Sequence, residues 1–496
     1  MKKETTLYTV FAYGFAAFMV LLAGISLLTH DNPFLNLGRV QLLAATILMG
    51  SILFLLLRLW DRKGKAPQKE WLVIGILFLI YFAAQCFVMD KLQVLPRGDW
   101  DYTLVFQEAE ARVLHGTPPT DYFGNFPNNV PFYWLLVGFF GILHFFGVTT
   151  FMQPLVLLNM FCIDVSLWMM YGIAKRILGK KWACMVLILG MISPALLLYV
   201  PIAYTDTLTL PFVCGAAYLW LLARGYFQKE KVRKMALYAG LAGVVTALGA
   251  VLKVSVAILF IAFVLDALLF WGGRRSWMPL AVGVACFAVV LLGGNKLAQA
   301  AMPEYDLVKI PYTHWIMMGL HGDGSYYDPD YKLTLSYPTY EERVAFHKHE
   351  IGRRLQEMGQ LGFLDHCREK LAFMISDGTY FAPSKLNRAA AKPSIWHEFV
   401  VPGGKYAGIL YYCADALQIC LLLSCAVGSW RAARGGDHRL TVYRVAWFGL
   451  VLFLLLWENR SRYLVNFIPL FLLCAGSGFC PQIQQNQPME KEAAAV

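Results

Sequence analysis

The sequence predicts an all-α polytopic membrane protein, with about 12–13 transmembrane segments and two large hydrophilic loops that hold juxtamembrane helices. Three observations carry this prediction. Of 496 residues, 58% are hydrophobic and only 15% are charged, whereas a soluble chain is about a quarter charged. Apolar runs of about 17–25 residues recur from end to end, the length that crosses a hydrocarbon core about 30 Å thick. These runs are continuous rather than alternating, which excludes a transmembrane β-barrel. The formal charge of +11 does not point to nucleic acid. Most Lys and Arg lie in short inter-helix loops, where they orient a chain in the membrane. Nine cysteines, among them Cys86, Cys214 and Cys474, fall in or beside apolar runs, where a thiol is a small packing group. Cys367 stands in a large hydrophilic loop, and no Cys/His pair has metal-site spacing.

The elements follow in order. The run Leu7–Leu28 is too long for a cleaved signal peptide and reads as a retained helix. A second run, Val40–Leu59, leads to the basic loop Arg62, Lys63, Lys65 and Lys69. A third covers Trp71–Met89. With the basic loop cytoplasmic, the N-terminus lies inside and the loop Asp90–Asn129 outside. Val130–Val148 and Phe151–Ile173 both look long enough to span, yet the "AKRILGKK" that follows belongs inside. One net crossing is therefore expected over Val130–Ile173, with a short, tilted or re-entrant first piece that Pro131 opens. From there the charges alternate simply. Helices at about 182–200, 207–223, 235–252, 254–271 and 278–294 lead to a second large loop, 295–406. Three more at about 407–430, 443–457 and 464–479 complete the bundle. In the large loop, Thr339 and Glu342 have capping-box spacing. Val344, Ile351, Leu355 and Met358 then share one side of a helix, and a second short helix is expected over Gly362–Met374. The polar tail 481–496 has a disordered composition.

This assignment divides the chain into two additional N-terminal helices (1–70), a core (71–294) that includes the loop 90–129, the loop 295–406 and C-terminal helices (407–480). It also puts the ionisable residues of interest on one face. Asp99 and Asp101 follow the membrane exit near Met89. Being two apart, they point in different directions, so only one of them is expected to face a substrate. As ordinary surface acids they need no function, but ionisable groups next to the membrane are costly and tend to be functional. Lys253 either snorkels to the interface or attracts a lipid phosphate. Asp206 in "AYTDT" either caps the next helix or contributes to a site. Arg460 and Arg462 in "WENRSRYL" are interfacial anchors or phosphate ligands, since a guanidinium matches phosphate oxygens bidentately. His314 and His321 are possible ligands, with no third one close in sequence.

"GDWDYTLVFQEAEARVLHG", followed by "YFGNFPNN" and an apolar helix, resembles the first extracytoplasmic loop of glycosyltransferase C superfamily enzymes. The likeness is to bacterial members akin to the protein O-mannosyltransferase family (glycosyltransferase family 39). "YTDT", "AVLKVSVAI", "HWIMMGLHGDGSYY" and "ENRSRYL" resemble the same proteins in the same order, over about residues 71–479. The resemblance implies a polyprenyl-phosphate sugar donor and an acidic residue of the first loop as base. Asp101 matches that position best, with Asp99 as an extra acid. Lys253, Arg460 and Arg462 would then hold the donor phosphate, and Asp206 and His321 would be acceptor or metal candidates. A carboxylate that takes the acceptor proton contributes typically about 10²–10⁴-fold, and direct displacement with a single base inverts the anomeric centre. The scheme requires no cofactor, although Asp99 and Asp206 can bind a divalent metal.

The expected protein is thus a hexosyltransferase of the cell membrane, multi-pass, with its site extracytoplasmic. Its expected partners are a polyprenyl-phosphate-linked sugar, the lipid bilayer and an acceptor glycan, lipid or protein, with no nucleic acid. Two other functions share the basic cytoplasmic loops or the large outer ones: a transporter or flippase of a lipid-linked sugar, and a polysaccharide polymerase or ligase. No internal repeat supports the transporter.

Overall fold

The computed structural model describes residues 2–29, 32, 34, 38–98, 100–270, 277–303, 305 and 307–480. Asp99 and the polar tail 481–496, both singled out in the sequence, lie outside the described residues. Among those described, helices account for all regular structure apart from an isolated antiparallel bridge between Val94 and Ala390. The chain is the all-α polytopic membrane protein that its composition predicts.

Nine helices among the described residues are long and apolar enough to span a bilayer, and Val254–Leu269 and Thr441–Leu456 are shorter apolar ones. Burial sorts the spans. Ser461–Phe479 and Thr205–Phe227 are 78% and 72% buried inside the protein, whereas Arg39–Lys63 and Trp277–Ala300 are each 11% buried. The first pair forms the middle of the bundle, and the second pair turns residues such as Ile47, Leu48, Val289 and Leu292 outward, where only hydrocarbon suits them. Membrane helices gain little from hydrophobicity against each other and associate through close backbone contact at small residues. The Val232–Leu252 and Trp277–Ala300 helices pack in this way, with Gly243 against the Gly283 carbonyl oxygen so that a Cβ there has no room.

The stretch Val130–Ile173 holds two helices of unequal length. A 16-residue helix, Val130–Phe145, packs against the helix Asp101–His115. The next helix, Met152–Leu178, begins beside that same helix, where the Tyr102 hydroxyl reaches Met152 Sδ at 3.3 Å. It ends beside Glu70, which pairs with Lys175 at 2.7 Å and Lys180 at 3.2 Å. Of the two, Met152–Leu178 is long and apolar enough to cross a membrane.

The large loop has the two helices expected of it: the stretch Tyr340–Ile375 is divided at Gly359, whose φ of 60° is not helical. Its start carries the anticipated capping box: Thr339 Oγ1 accepts from the Glu342 amide, and the Glu342 carboxylate accepts from the Thr339 amide at 3.1 Å.

The two hydrophilic loops are tied to each other. Flanking the Val94–Ala390 bridge, the Leu95 amide donates to Ala389 O and the Ala391 amide to Gln93 O, both at 2.8 Å. Lys392 adds an ion pair to Asp90 at 2.5 Å. This short backbone seam brings the segment that holds Trp100 and Asp101 beside the helix Ala382–Asn387.

Candidate active site

Asp101 is the first residue of the helix Asp101–His115, where the unpaired amides of a helix N-terminus favour a negative charge. Its Oδ1 accepts from the Tyr122 hydroxyl at 2.7 Å. The Tyr122 oxygen in turn accepts from Asn129 Nδ2 at 2.5 Å, and Asn129 Oδ1 accepts from the Tyr204 hydroxyl at 3.3 Å. This chain of hydrogen bonds orients one carboxylate oxygen. Among the described residues, Oδ2 has no donor. Burial together with the Asp101 charge pushes the Tyr122 and Tyr204 phenols up, so both remain donors.

Asp206 and Lys253 are brought together as an ion pair between the start of one span and the end of another. The sequence leaves Asp206 as a lone acid and gives Lys253 to a lipid phosphate. The structure corrects the first point and qualifies the second, because the Lys253 ammonium already has a carboxylate partner. That partner is what allows a lysine to sit in the interior. Lys253 also lies 5.7 Å from the Tyr463 ring centre, and the Arg462 guanidinium lies 4.9 Å from the same ring.

Arg460 and Arg462 gather with two cations that the sequence reading passed over, Lys385 and Arg388. Arg460 lies 4.6 Å from the Phe381 ring centre. Lys385 and Arg388 lie 4.3 and 5.5 Å from that of Trp100. Cation–π contacts of this kind are worth about 0.5–2 kcal/mol and do not neutralise charge. Among the described residues, none of the four forms an ion pair, and Nε of Arg460 and of Arg462 is buried without an acceptor. The four act on each other. Burial, then the charges of Arg462, Arg388 and Arg460, hold the Lys385 ammonium well below the usual lysine range. Partial desolvation and the two other arginines lower Arg388, which lies at an exposed position, and Asp101 acts the opposite way. A further acid the sequence reading missed, Glu458, is buried here; burial raises its carboxyl against the pull of Arg460 and Arg462. It accepts from the Tyr463 hydroxyl at 2.9 Å.

The loop that carries Lys385 is held in an unusual shape. Tyr380 and Phe381 have φ values of 55° and 65°, a left-handed conformation that is a genuine outlier for bulky residues. Asp377 holds it. Its carboxylate accepts from the Thr379 amide and hydroxyl, at 2.9 and 2.5 Å, and from the Phe381 amide at 2.7 Å. The fourth donor is Ser461 Oγ at 2.8 Å, from the residue between Arg460 and Arg462. Gly378 is needed because the Ala414 carbonyl oxygen leaves no room for a Cβ. Strain of this kind persists only where the surroundings over-determine it, and it gathers at functional sites.

Lys370 fixes the approach to Arg460. Pulled down to about 8 by burial, it donates to Gly319 O at 2.7 Å and Trp457 O at 2.8 Å. His321, in the neighbouring turn, stacks on Tyr327 with ring centres 3.7 Å apart. His314 belongs instead to a buried network in which its Nδ1 meets Thr334 Oγ1 at 2.7 Å. Among the described residues, no three His, Cys, Asp or Glu side chains gather to hold a metal ion.

Asp101, Asp206, Lys253, Arg460 and Arg462 therefore share one end of the bundle, with Lys385, Arg388 and Glu458 among them. Residue types and geometry fit an anionic group held by cations next to an oriented carboxylate. No curated protein and no solved structure matches the chain. A family model does match it, over residues 2–479, and the chain belongs to the family described as a conserved hypothetical integral membrane protein.

Proposed function

We propose that this protein is a membrane glycosyltransferase. It moves a hexosyl group from a polyprenyl-phosphate-linked donor to an acceptor hydroxyl on a glycan, a lipid or a protein, with inversion. The observation that carries this reading is the group Lys385, Arg388, Arg460 and Arg462, without ion-paired carboxylates among the described residues and with Arg388 close enough to Asp101 for their charges to interact. Cations aimed at the oxygen where charge develops are usually the largest contribution to such a transfer.

Asp101 takes the acceptor proton, and the Tyr122 hydroxyl keeps its other oxygen in place. As the acceptor oxygen bonds to the anomeric carbon, the bond from that carbon to the phosphate oxygen breaks. The electron pair stays on the phosphate, which the four cations stabilise. Lys253 and Asp206 serve as a fixed pair that holds Tyr463 and, through it, Arg462. The distribution of Arg62, Lys63, Lys181 and Arg434 supports an orientation with these residues and the N-terminus cytoplasmic, and the site at the outer face of the plasma membrane.

Purified protein in proteoliposomes, given a polyprenyl-phosphate sugar and a hydroxyl acceptor, is expected to form the glycoside. Movement of the intact lipid-linked sugar across the bilayer without transfer would replace this reading with that of a transporter.

A further inference from the structure

The four cations raise a question of charge that the proposed function leaves open. A sugar joined to a lipid through one phosphate is a phosphodiester and carries one negative charge. When the glycosidic bond breaks, the lipid keeps a phosphate monoester, which carries nearly two at neutral pH and above. These two ligands differ by one charge and ask for different sites.

We propose that this cluster is built for the monoester: the lipid phosphate left after transfer, rather than the sugar-bearing donor, is its tight ligand. This inference rests on the glycosyltransferase reading and specifies which form of the lipid the site selects. The argument is electrostatic. Lys253 is already balanced by Asp206, so it adds little net charge. Lys385, Arg388, Arg460 and Arg462 have no such balance among the described residues, and they repel one another. Arg462, Arg388 and Arg460 all weigh on Lys385, and Arg460 and Arg462 weigh on Arg388. The nearby acids relieve this only in part: Asp101 acts on Arg388 and Asp206 on Lys385, while burial raises the Glu458 carboxyl. Repulsion among fixed cations is relieved in proportion to the negative charge placed between them, so a second charge gains nearly as much as the first. A site that gains on the charge created during bond breaking stabilises the transition state more than the ground state.

The arrangement is also rigid. Asp377 binds both the loop carrying Lys385 and Ser461, between Arg460 and Arg462. The backbone that carries Lys385 is thereby tied to the backbone that carries Arg460 and Arg462.

The test is binding to the full-length protein in detergent at pH 8, with three probes: farnesyl phosphate, its methyl diester and inorganic phosphate. Farnesyl phosphate is expected to bind at least about tenfold more tightly than the diester, the worth of one additional charge-assisted hydrogen bond. Inorganic phosphate should bind more weakly than farnesyl phosphate, because it lacks the lipid. Arg388→Gln, at an exposed position, should cut the monoester-to-diester ratio severalfold, and Lys385→Gln should cut it further. Equal binding of monoester and diester overturns the inference and leaves the glycosyltransferase reading standing. Binding of neither lipid overturns both. Inorganic phosphate binding as tightly as farnesyl phosphate would make this a site for free phosphate and overturn the lipid assignment.

Discussion

Arg354 and Lys385 are both buried cations of the second hydrophilic loop, and they are supported in opposite ways. The Arg354 side chain, 11% exposed, is enclosed by carboxylates: Nη2 and Nη1 reach the two Asp330 oxygens at 2.7 and 2.9 Å, and Nε reaches Glu350 at 2.7 Å. Nη1 also donates to Met317 O at 2.8 Å. Lys385, 4% exposed, has an indole face and three nearby arginines but no ion-paired acid among the described residues. A buried cation with a structural job brings its counter-charges with it, because an unpaired one is costly to desolvate. Lys385 is buried without an ion-paired partner, and in the proposed reading it is kept at that cost for an anion from elsewhere. Residue type does not separate the two cases; the provision of partners does.

The contrast can be broken most directly with paired substitutions. Arg354→Gln leaves Asp330 buried without its cation, while Glu350 keeps Arg353, and should cost about 3–5 kcal/mol of stability. Arg462→Gln should leave the melting temperature in detergent unchanged or raise it, since repulsion falls. Equal losses would erase the distinction. Next in size is Asp101→Asn, which retains shape and a hydrogen-bonding group but cannot take a proton. Turnover should fall about a hundredfold or more, with melting temperature and lipid-phosphate binding preserved. Near-normal turnover would remove Asp101 from the role of base. The smallest expected effect is Thr339→Ala, which deletes the cap of the Tyr340–Ile375 helix and should cost about 1 kcal/mol. Ligand binding at the cation cluster should not move; if it does, the two regions are coupled and the comparison must be redrawn.

Much of the fold can be read from the amino-acid sequence because membrane burial makes each span declare itself. Arg62 and Lys63 close one helix, and Thr339 and Glu342 open another. Part of the site is legible for the same reason: Arg460, Arg462 and Asp101 stand out beside apolar runs. Lys385 and Arg388 do not. They belong to a six-residue helix, Ala382–Asn387, and the residue after it, too short to show a period, inside a loop where basic residues are ordinary. What gives them meaning is the Val94–Ala390 seam, a pairing of backbone groups that leaves no trace in side-chain pattern. The partnership of Asp206 with Lys253 is hidden likewise, since each residue alone looks like a helix boundary.

The four-way grip of Asp377 has a consequence for how this protein can change. Residues 377–388 and 458–463 come from distant parts of the chain, yet one carboxylate sets the spacing between their positive groups. They form a single heritable unit: a graft of either segment into a relative transfers half a socket, and a length change in either one misaligns the other. The individual cations, by contrast, hang from that frame and can be exchanged one at a time. New ligand preferences are therefore reached by swapping the teeth while the jaw is left alone.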